Sequence, residues 1–156
     1  MKNLFFYNTD IGRIGIAENG AGITDLYFEG AAVPEDVSVC ETELLKQAAA
    51  QVREYLAGGR QIFALPLSPA GTEFQRKVWE SLCDIPYGET RSYKEIAESA
   101  GSPKGYRAVG MANNRNPIPI LIPCHRVIGA DGSLVGYGGG LDIKVRLLNL
   151  EKCILR

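Results

Sequence analysis

One histidine, one tryptophan and four scattered cysteines in 156 residues are a short supply of the side chains that bind metals and build disulfides. The cysteines, Cys40, Cys83, Cys124 and Cys153, include no C-x-x-C pair, and the only imidazole is His125. Zinc-ligand spacing is therefore missing, and neither a metal nor a cofactor is expected. No stretch approaches the ~20 apolar residues of a membrane span. The opening Met1-Lys2-Asn3-Leu4 lacks the apolar run and small-residue cleavage site of a signal peptide. These absences point away from a membrane partner and toward the cytoplasm, where thiols stay reduced.

Net charge is also scarce, at -1, but it is unevenly spread. Residues 1–66 hold five Lys/Arg against nine Asp/Glu, and residues 67–156 hold twelve against nine. Between 91 and 126 the sequence sets Arg91, Lys94, Lys104, Arg107, Arg115 and Arg126 against only Glu95 and Glu98. Such a run is either an ordinary solvated surface or a face that meets phosphate.

What is present reads as two domains, 1–66 and 67–156, divided at the turn-rich 66–71 segment Pro-Leu-Ser-Pro-Ala-Gly. The first carries strand-like runs at 4–7, 12–17 and 23–28, with Asn19-Gly20 as a hairpin signal, predicting a small antiparallel sheet. Leu45, Ala48, Val52, Tyr55 and Leu56 recur at helical spacing between the cap Thr42 and the stop Gly58-Gly59, so a helix covers that sheet. Residues 62–65 are a candidate further strand.

The second domain opens with Thr72 capping a helix whose stripe is Phe74, Val78, Trp79 and Leu82. Ser92 can cap a short helix through Ala100, and Gly101 can turn the chain. Ser102-Pro103 can then cap and start a helix through about Asn113. Helix, glycine turn, helix is the helix-turn-helix pattern, found on DNA-binding proteins and on many that never touch DNA. Val127-Ile128 and Leu134-Val135 flank the turn 129–132 as a candidate wing, and Asp142 can cap a last helix with Val145, Leu147 and Leu148 inward. The fold class is α+β, with a winged helix-turn-helix in the second half.

Cys124 stands beside His125, and a thiol needs a neighbouring base or cation to act as a nucleophile. On an extended strand the two would point to opposite faces, so they cooperate only where the chain bends or a water bridges them. On the dipeptide alone, a buried structural cysteine is the competing reading.

The longer pattern resolves that choice. Ile120-Leu-Ile-Pro-Cys-His-Arg-Val127, with Arg115-Asn-Pro117 upstream, closely resembles the signature of the O6-alkylguanine-DNA alkyltransferases, also called methylated-DNA-protein-cysteine methyltransferases. Phe74-Gln-Arg76, Pro86-Tyr-Gly-Glu-Thr90, Ser92-Tyr93, Arg107-Ala-Val-Gly110 and Gly136-Tyr137 follow the same order. The resemblance covers about 71 to 151 and is only general over 1–66, where it implies a ribonuclease H-like supporting domain.

It implies a single-turnover DNA-repair enzyme that moves a methyl or alkyl group from O6-alkylguanine onto Cys124; O4-methylthymine stays open as a second substrate. His125 would act as base through a water, with Glu151 orienting it. Tyr93 would donate a proton to the leaving base, and Asn116 would tie the second helix to the cysteine strand. The partner would be duplex DNA, entered by a monomer through the minor groove with the damaged base flipped out. Arg107 would fill the gap, Tyr106 and Arg115 would lie at the DNA face, and Val127, Tyr137 and Gly138 would line the base pocket. Gly138, Asn113 and Tyr106 depart from the vertebrate members, which carry serine, a bulkier apolar residue and a small residue there.

Overall fold

The computed structural model describes residues 1–134 and 137–152. Val135, Gly136 and Cys153 lie outside them, and with them one expected wing residue, half of the Gly136-Tyr137 motif and one expected buried cysteine. The chain divides into two compact units, Met1–Ala70 and Gly71–Arg156.

In the first unit β1 (Lys2–Thr9), β2 (Gly12–Glu18) and β3 (Ile23–Tyr27) form an antiparallel meander. A short β4 (Val37–Val39), not foreseen, lies parallel to β1, so the sheet is mixed, in the order β3-β2-β1-β4. Helix α1 (Glu43–Leu56) packs across β1, β2 and β3, burying Leu45, Ala48, Val52 and Tyr55 on the sheet face that carries the buried Ile14, Ile16 and Leu26. Thr42 caps it, accepting a hydrogen bond from Leu45 N at 3.3 Å. Residues 62–65 form no strand. Instead Pro66 O accepts from Ile23 N (2.8 Å) and Ser68 N donates to Ile23 O (2.7 Å), joining the segment to the end of β3. That pairing holds 66–68 to the first unit.

In the second unit, α2 (Glu73–Cys83) starts at Thr72 with a reciprocal capping box to Gln75. Val78, Trp79 and Leu82 are buried, and Trp79 Nε1 donates to Ala112 O at 2.9 Å. Phe74, expected on the same stripe, is only half-buried, because it lies in the first turn. The two-residue β5 (Arg91–Ser92) leads into α3 (Tyr93–Ser99), where Ser92 and Glu95 form a second capping box.

The helix after the Gly101 turn, α4 (Tyr106–Asn114), begins later than Ser102-Pro103 predicts. Residues 102–105 close a turn of their own, Gly105 N to Ser102 O at 2.8 Å, which keeps Ser102 from capping the helix. The cap is Gly105, with no side-chain bond. The candidate hairpin wing is also different. Gly129 N donates to Ser133 O across a turn, but β6 (Val127–Ile128) takes β5 as a parallel partner, and Leu134 lies outside any strand. The final helix α5 (Leu141–Leu150) is capped by Gly140, at φ 92°, one residue ahead of its first turn, where Asp142 lies. Leu147 and Leu148 are buried and Val145 is half-buried. Among the described residues no helix is long and apolar enough to cross a membrane.

Trp79 is the main polar tie between α2 and α4. Trp79→Phe shrinks the buried ring and removes one buried hydrogen bond, so urea unfolding should show a loss of about 2–3 kcal/mol with an unchanged m-value.

Candidate active site

The approach to Cys124 is a chain forced into a coil. Asn116 breaks away from α4, and its carboxamide both accepts from Ile118 N (2.9 Å) and donates to Ile122 O (2.8 Å). The loop wraps around that one side chain. Within it Ile120 sits at φ 74°, a left-handed conformation that costs a β-branched residue about 1–3 kcal/mol. Complete burial among apolar neighbours and the Asn116 bonds hold it there. Pro123 (φ -79°, ψ 62°) then centres an inverse γ-turn, with Cys124 N donating to Ile122 O at 2.8 Å. Cys124–Arg126 complete a single 3-10 turn, in which Val127 N donates to Cys124 O. The bend that the Cys-His pair requires is therefore present, and Cys124 is 4% exposed.

Parallel pairing of β5 with β6, Arg91 to Val127 and Ser92 to Ile128, sets the start of α3 beside this turn. Tyr93 follows directly, its ring close to Gly110 of α4. Burial, with a smaller effect of the Cys124 charge, raises the Tyr93 phenol above its ordinary value.

His125 is fully buried, and its Nε2 lies 2.7 Å from Glu151 Oε2. Glu151 caps the end of α5 and is also buried. Arg126 grips the same carboxylate in a fork, Nε to Oε1 at 2.8 Å and Nη2 to Oε2 at 3.0 Å, while its Nη1 donates to Ile85 O at 2.7 Å. Gly88 N adds a further bond to Glu151 Oε1 at 3.2 Å. Gly88 has φ 84°, and a Cβ there would stand 3.3 Å from Glu151 O, so glycine suits both the turn and the close approach. A second buried cation, Lys144, donates from Nζ to Val127 O at 2.7 Å.

Burial pushes the Cys124 thiol up from 9.0 to about 11, against the opposing pull of an Asn116 hydrogen bond and the Lys144 charge. At neutral pH such a thiol holds roughly one thiolate in ten thousand molecules, so attack through sulfur requires a base. Burial also lowers His125 below its ordinary 6.5; Glu151 opposes that shift, while Arg126 and Lys144 add to it. Lys144 itself is lowered to about 8 by burial, with the Cys124 charge opposing. The result is a neutral imidazole beside a protonated thiol, which is the starting state for base-assisted attack.

The structure thus joins Cys124, His125, Glu151 and Asn116 around one turn and sets Tyr93 alongside. Val127 is buried, and Tyr137 is half-buried in the turn that leads into α5. Tyr106, Arg107, Arg115 and Gly138 are exposed, the first three on α4 and its C-terminal end. Arg126, counted in the basic run as a phosphate candidate, is instead committed to Glu151 inside the protein. Among the described residues, no group of three or more His, Cys, Asp or Glu side chains is placed to hold a metal ion.

Known protein families match both units of the chain. Residues 73–153 match the 6-O-methylguanine DNA methyltransferase DNA-binding domain, and residues 5–69 match the ribonuclease-like domain of the same enzymes. A Methanosarcina barkeri protein named methylated-DNA–protein-cysteine methyltransferase is 53% identical over 94% of both chains. The chain belongs to the 6-O-methylguanine DNA methyltransferase family. A Mycobacterium leprae relative of the same name is 50% identical, over 93% of this chain and 89% of its own. Among solved structures, Mycobacterium tuberculosis OGT in complex with DNA superposes with a TM-score of 0.91 at 43% identity, covering 96% of this chain and 92% of that one.

Three residues of this buried cluster had no such place expected for them: Arg126, Lys144 and Gly88. Lys144 had a signal, since Lys144, Leu147, Leu148 and Glu151 fall on one helical stripe, and ionisable groups at both ends of an apolar stripe indicate buried charges.

Because His125 titrates lower in the folded chain than when unfolded, protons favour unfolding. Its contribution is fully present above about pH 6.5 and is lost as pH falls through that value. Urea midpoints should therefore drop between pH 7.5 and 5.5, and the drop should shrink in His125→Phe. With one histidine in the chain, no other imidazole contributes in that window, and an equal drop in both proteins contradicts the assignment.

Proposed function

We propose that this chain repairs DNA by direct reversal, moving a methyl or alkyl group from O6 of guanine onto Cys124 Sγ in one irreversible event. The observation that carries the reading is the buried Cys124, His125 and Glu151 arrangement, lying within the segment that matches the DNA-binding domain of a family named for this transfer. Relatives at 53% and 50% identity bear the name methylated-DNA–protein-cysteine methyltransferase, and a structural neighbour was solved with DNA.

In the proposed reaction the thiol proton passes through a water to the neutral His125 ring, and Glu151 holds the other ring nitrogen. Sulfur then displaces guanine O6 from the alkyl carbon, so a C–S bond forms as the C–O bond breaks. Tyr93 supplies a proton to N3 of the departing guanine. Its raised value favours the protonated phenol at neutral pH. The thioether product does not hydrolyse, so the protein acts once. No cofactor or metal takes part in this scheme.

The target atom is hidden in a duplex, so the base must leave the stack at a cost of a few kcal/mol. We assign α4 to the minor groove of double-stranded DNA, with exposed Arg107 filling the vacated space and Tyr106 and Arg115 against the backbone. Val127, Tyr137 and Gly138 are assigned to the base pocket. Asn116 acts indirectly, by shaping the loop that presents Cys124. The functional division follows the two units, the second carrying the chemistry and the first supporting it. We further place the protein in the cytoplasm as a monomer, where its thiol is kept reduced.

Incubation with duplex DNA containing O6-methylguanine, followed by intact mass and peptide mapping, tests the proposal. One methyl per molecule on Cys124, no second turnover and no gain in Cys124→Ser are expected. Repaired DNA with unmodified Cys124, or repeated turnover, overturns it. Arg107→Ala should slow transfer from duplex about tenfold or more while sparing single-stranded substrate, because only the duplex requires flipping.

A further inference from the structure

Arg126 makes more polar contacts with the Glu151 side chain than His125 does. Its guanidinium spans both carboxylate oxygens at 2.8 and 3.0 Å, and its remaining nitrogen reaches Ile85 O at the end of α2. The Tyr87 ring lies 5.7 Å from its centre. The guanidinium therefore cannot swing toward solvent without breaking bonds to two parts of the fold. A forked arginine–carboxylate pair is both directional and strong, because two parallel N–H bonds fix the plane of the carboxylate.

That geometry has a consequence for the imidazole. In a nucleophile–base–orienter arrangement the carboxylate normally steadies the imidazolium that forms when the base takes its proton. Here the same carboxylate already faces a full positive charge held in place. We propose that Arg126 is a positioning residue for the reaction: it fixes Glu151 against His125 and shares its negative charge, so that the imidazole is held in place as a proton acceptor. The inference rests on His125 serving as the base in alkyl transfer.

The other groups around His125 are consistent with this role. Lys144 on α5 adds a second positive charge, and Cys124 precedes the ring in the same turn. Tyr93 of α3 lies on the cysteine side, and Gly88 N approaches the far carboxylate oxygen. Burial lowers the proton affinity of the ring most, the Glu151 hydrogen bond and charge raise it, and Arg126 and Lys144 lower it further. A helix-surface arginine in place of the buried fork would leave Glu151 to act on His125 alone.

The single histidine makes the test direct, since the imidazole signals in an NMR titration belong to His125 alone. The full chain is titrated as wild type, Arg126→Met and Arg126→Lys, with the pH profile of methyl transfer measured in parallel. Wild type is expected to titrate below 6.5. In Arg126→Met the midpoint should rise above the wild-type value, because Glu151 is then less compensated beside the ring while burial continues to oppose protonation. The acid limb of the methyl-transfer profile should move up with it, and Arg126→Lys should fall between the two.

A merely structural arginine predicts loosening instead, which moves Arg126→Lys as far as Arg126→Met although lysine keeps the charge. That result, or an unmoved midpoint in folded protein, overturns the proposal. If Arg126→Met does not fold, Arg126→Lys decides: a midpoint at or below the wild-type value sinks the inference. The titration does not depend on substrate, so absence of methyl transfer in wild type removes the function proposed above while the midpoint still reports on Arg126. Methyl transfer with an unmoved midpoint removes the Arg126 role alone.

Discussion

One buried carboxylate organises the second unit. Glu151 ends α5, yet its oxygens are bonded by His125 and Arg126 from the turn after the cysteine and by Gly88 N from the turn after α2. Taking such a charge out of water costs several kcal/mol, and it is tolerable only where donors surround it. Removing any one of those donors leaves part of that cost uncompensated. Helix α5, the 3-10 turn and the 86–88 turn are therefore held to one another by electrostatic necessity as well as by apolar packing. The same constraint fixes the imidazole beside Cys124.

Strain at the cysteine loop follows a related logic. Ile120 adopts a backbone conformation that isoleucine avoids, and Asn116 offers the amide groups that make the loop close on itself. The cost is local and is offset by burial of Ile118, Ile120, Leu121 and Ile122 around it. What the loop gains is an abrupt turn at Pro123, so that Cys124 enters a helical turn directly from the loop closed around Asn116. A straight strand would have sent thiol and imidazole to opposite faces.

Much of this was readable from the sequence where local chemistry decides structure. Thr42, Thr72 and Ser92 cap the helices they should, because a side-chain oxygen satisfies an amide that has no other partner. The three antiparallel strands and the apolar stripes of α1 and α2 followed from period alone. Legibility failed where a long-range partner decides. Val37–Val39 is three residues long and becomes a strand only because β1 offers it an edge, and Val127-Ile128 pairs with Arg91-Ser92 rather than across its own turn. At the site, the Cys-His pair and Glu151 were reached through resemblance, since nothing in the spacing of residues 125 and 151 says that they touch. Arg126 was misread for the same reason: a basic residue in a basic run looks solvated until its carboxylate is seen.

The charges enclosed with the thiol also explain why a cysteine raised to about 11 is suited to one kind of event. With thiol and imidazole neutral, the buried charges of Lys144 and Arg126 accompany the carboxylate of Glu151 among the described residues, and the Lys144 charge pulls the Cys124 value down. That cation lowers the cost of forming the thiolate at the moment of attack relative to a thiol buried among apolar groups alone. A resting thiolate is still disfavoured by burial, so stray electrophiles meet a protonated sulfur. On the proposed reaction, a base that takes the proton and a cationic surround that receives the sulfur charge act together, and only when an alkyl carbon is already aligned. Burial and the Lys144 charge thereby separate readiness to attack from reactivity at rest.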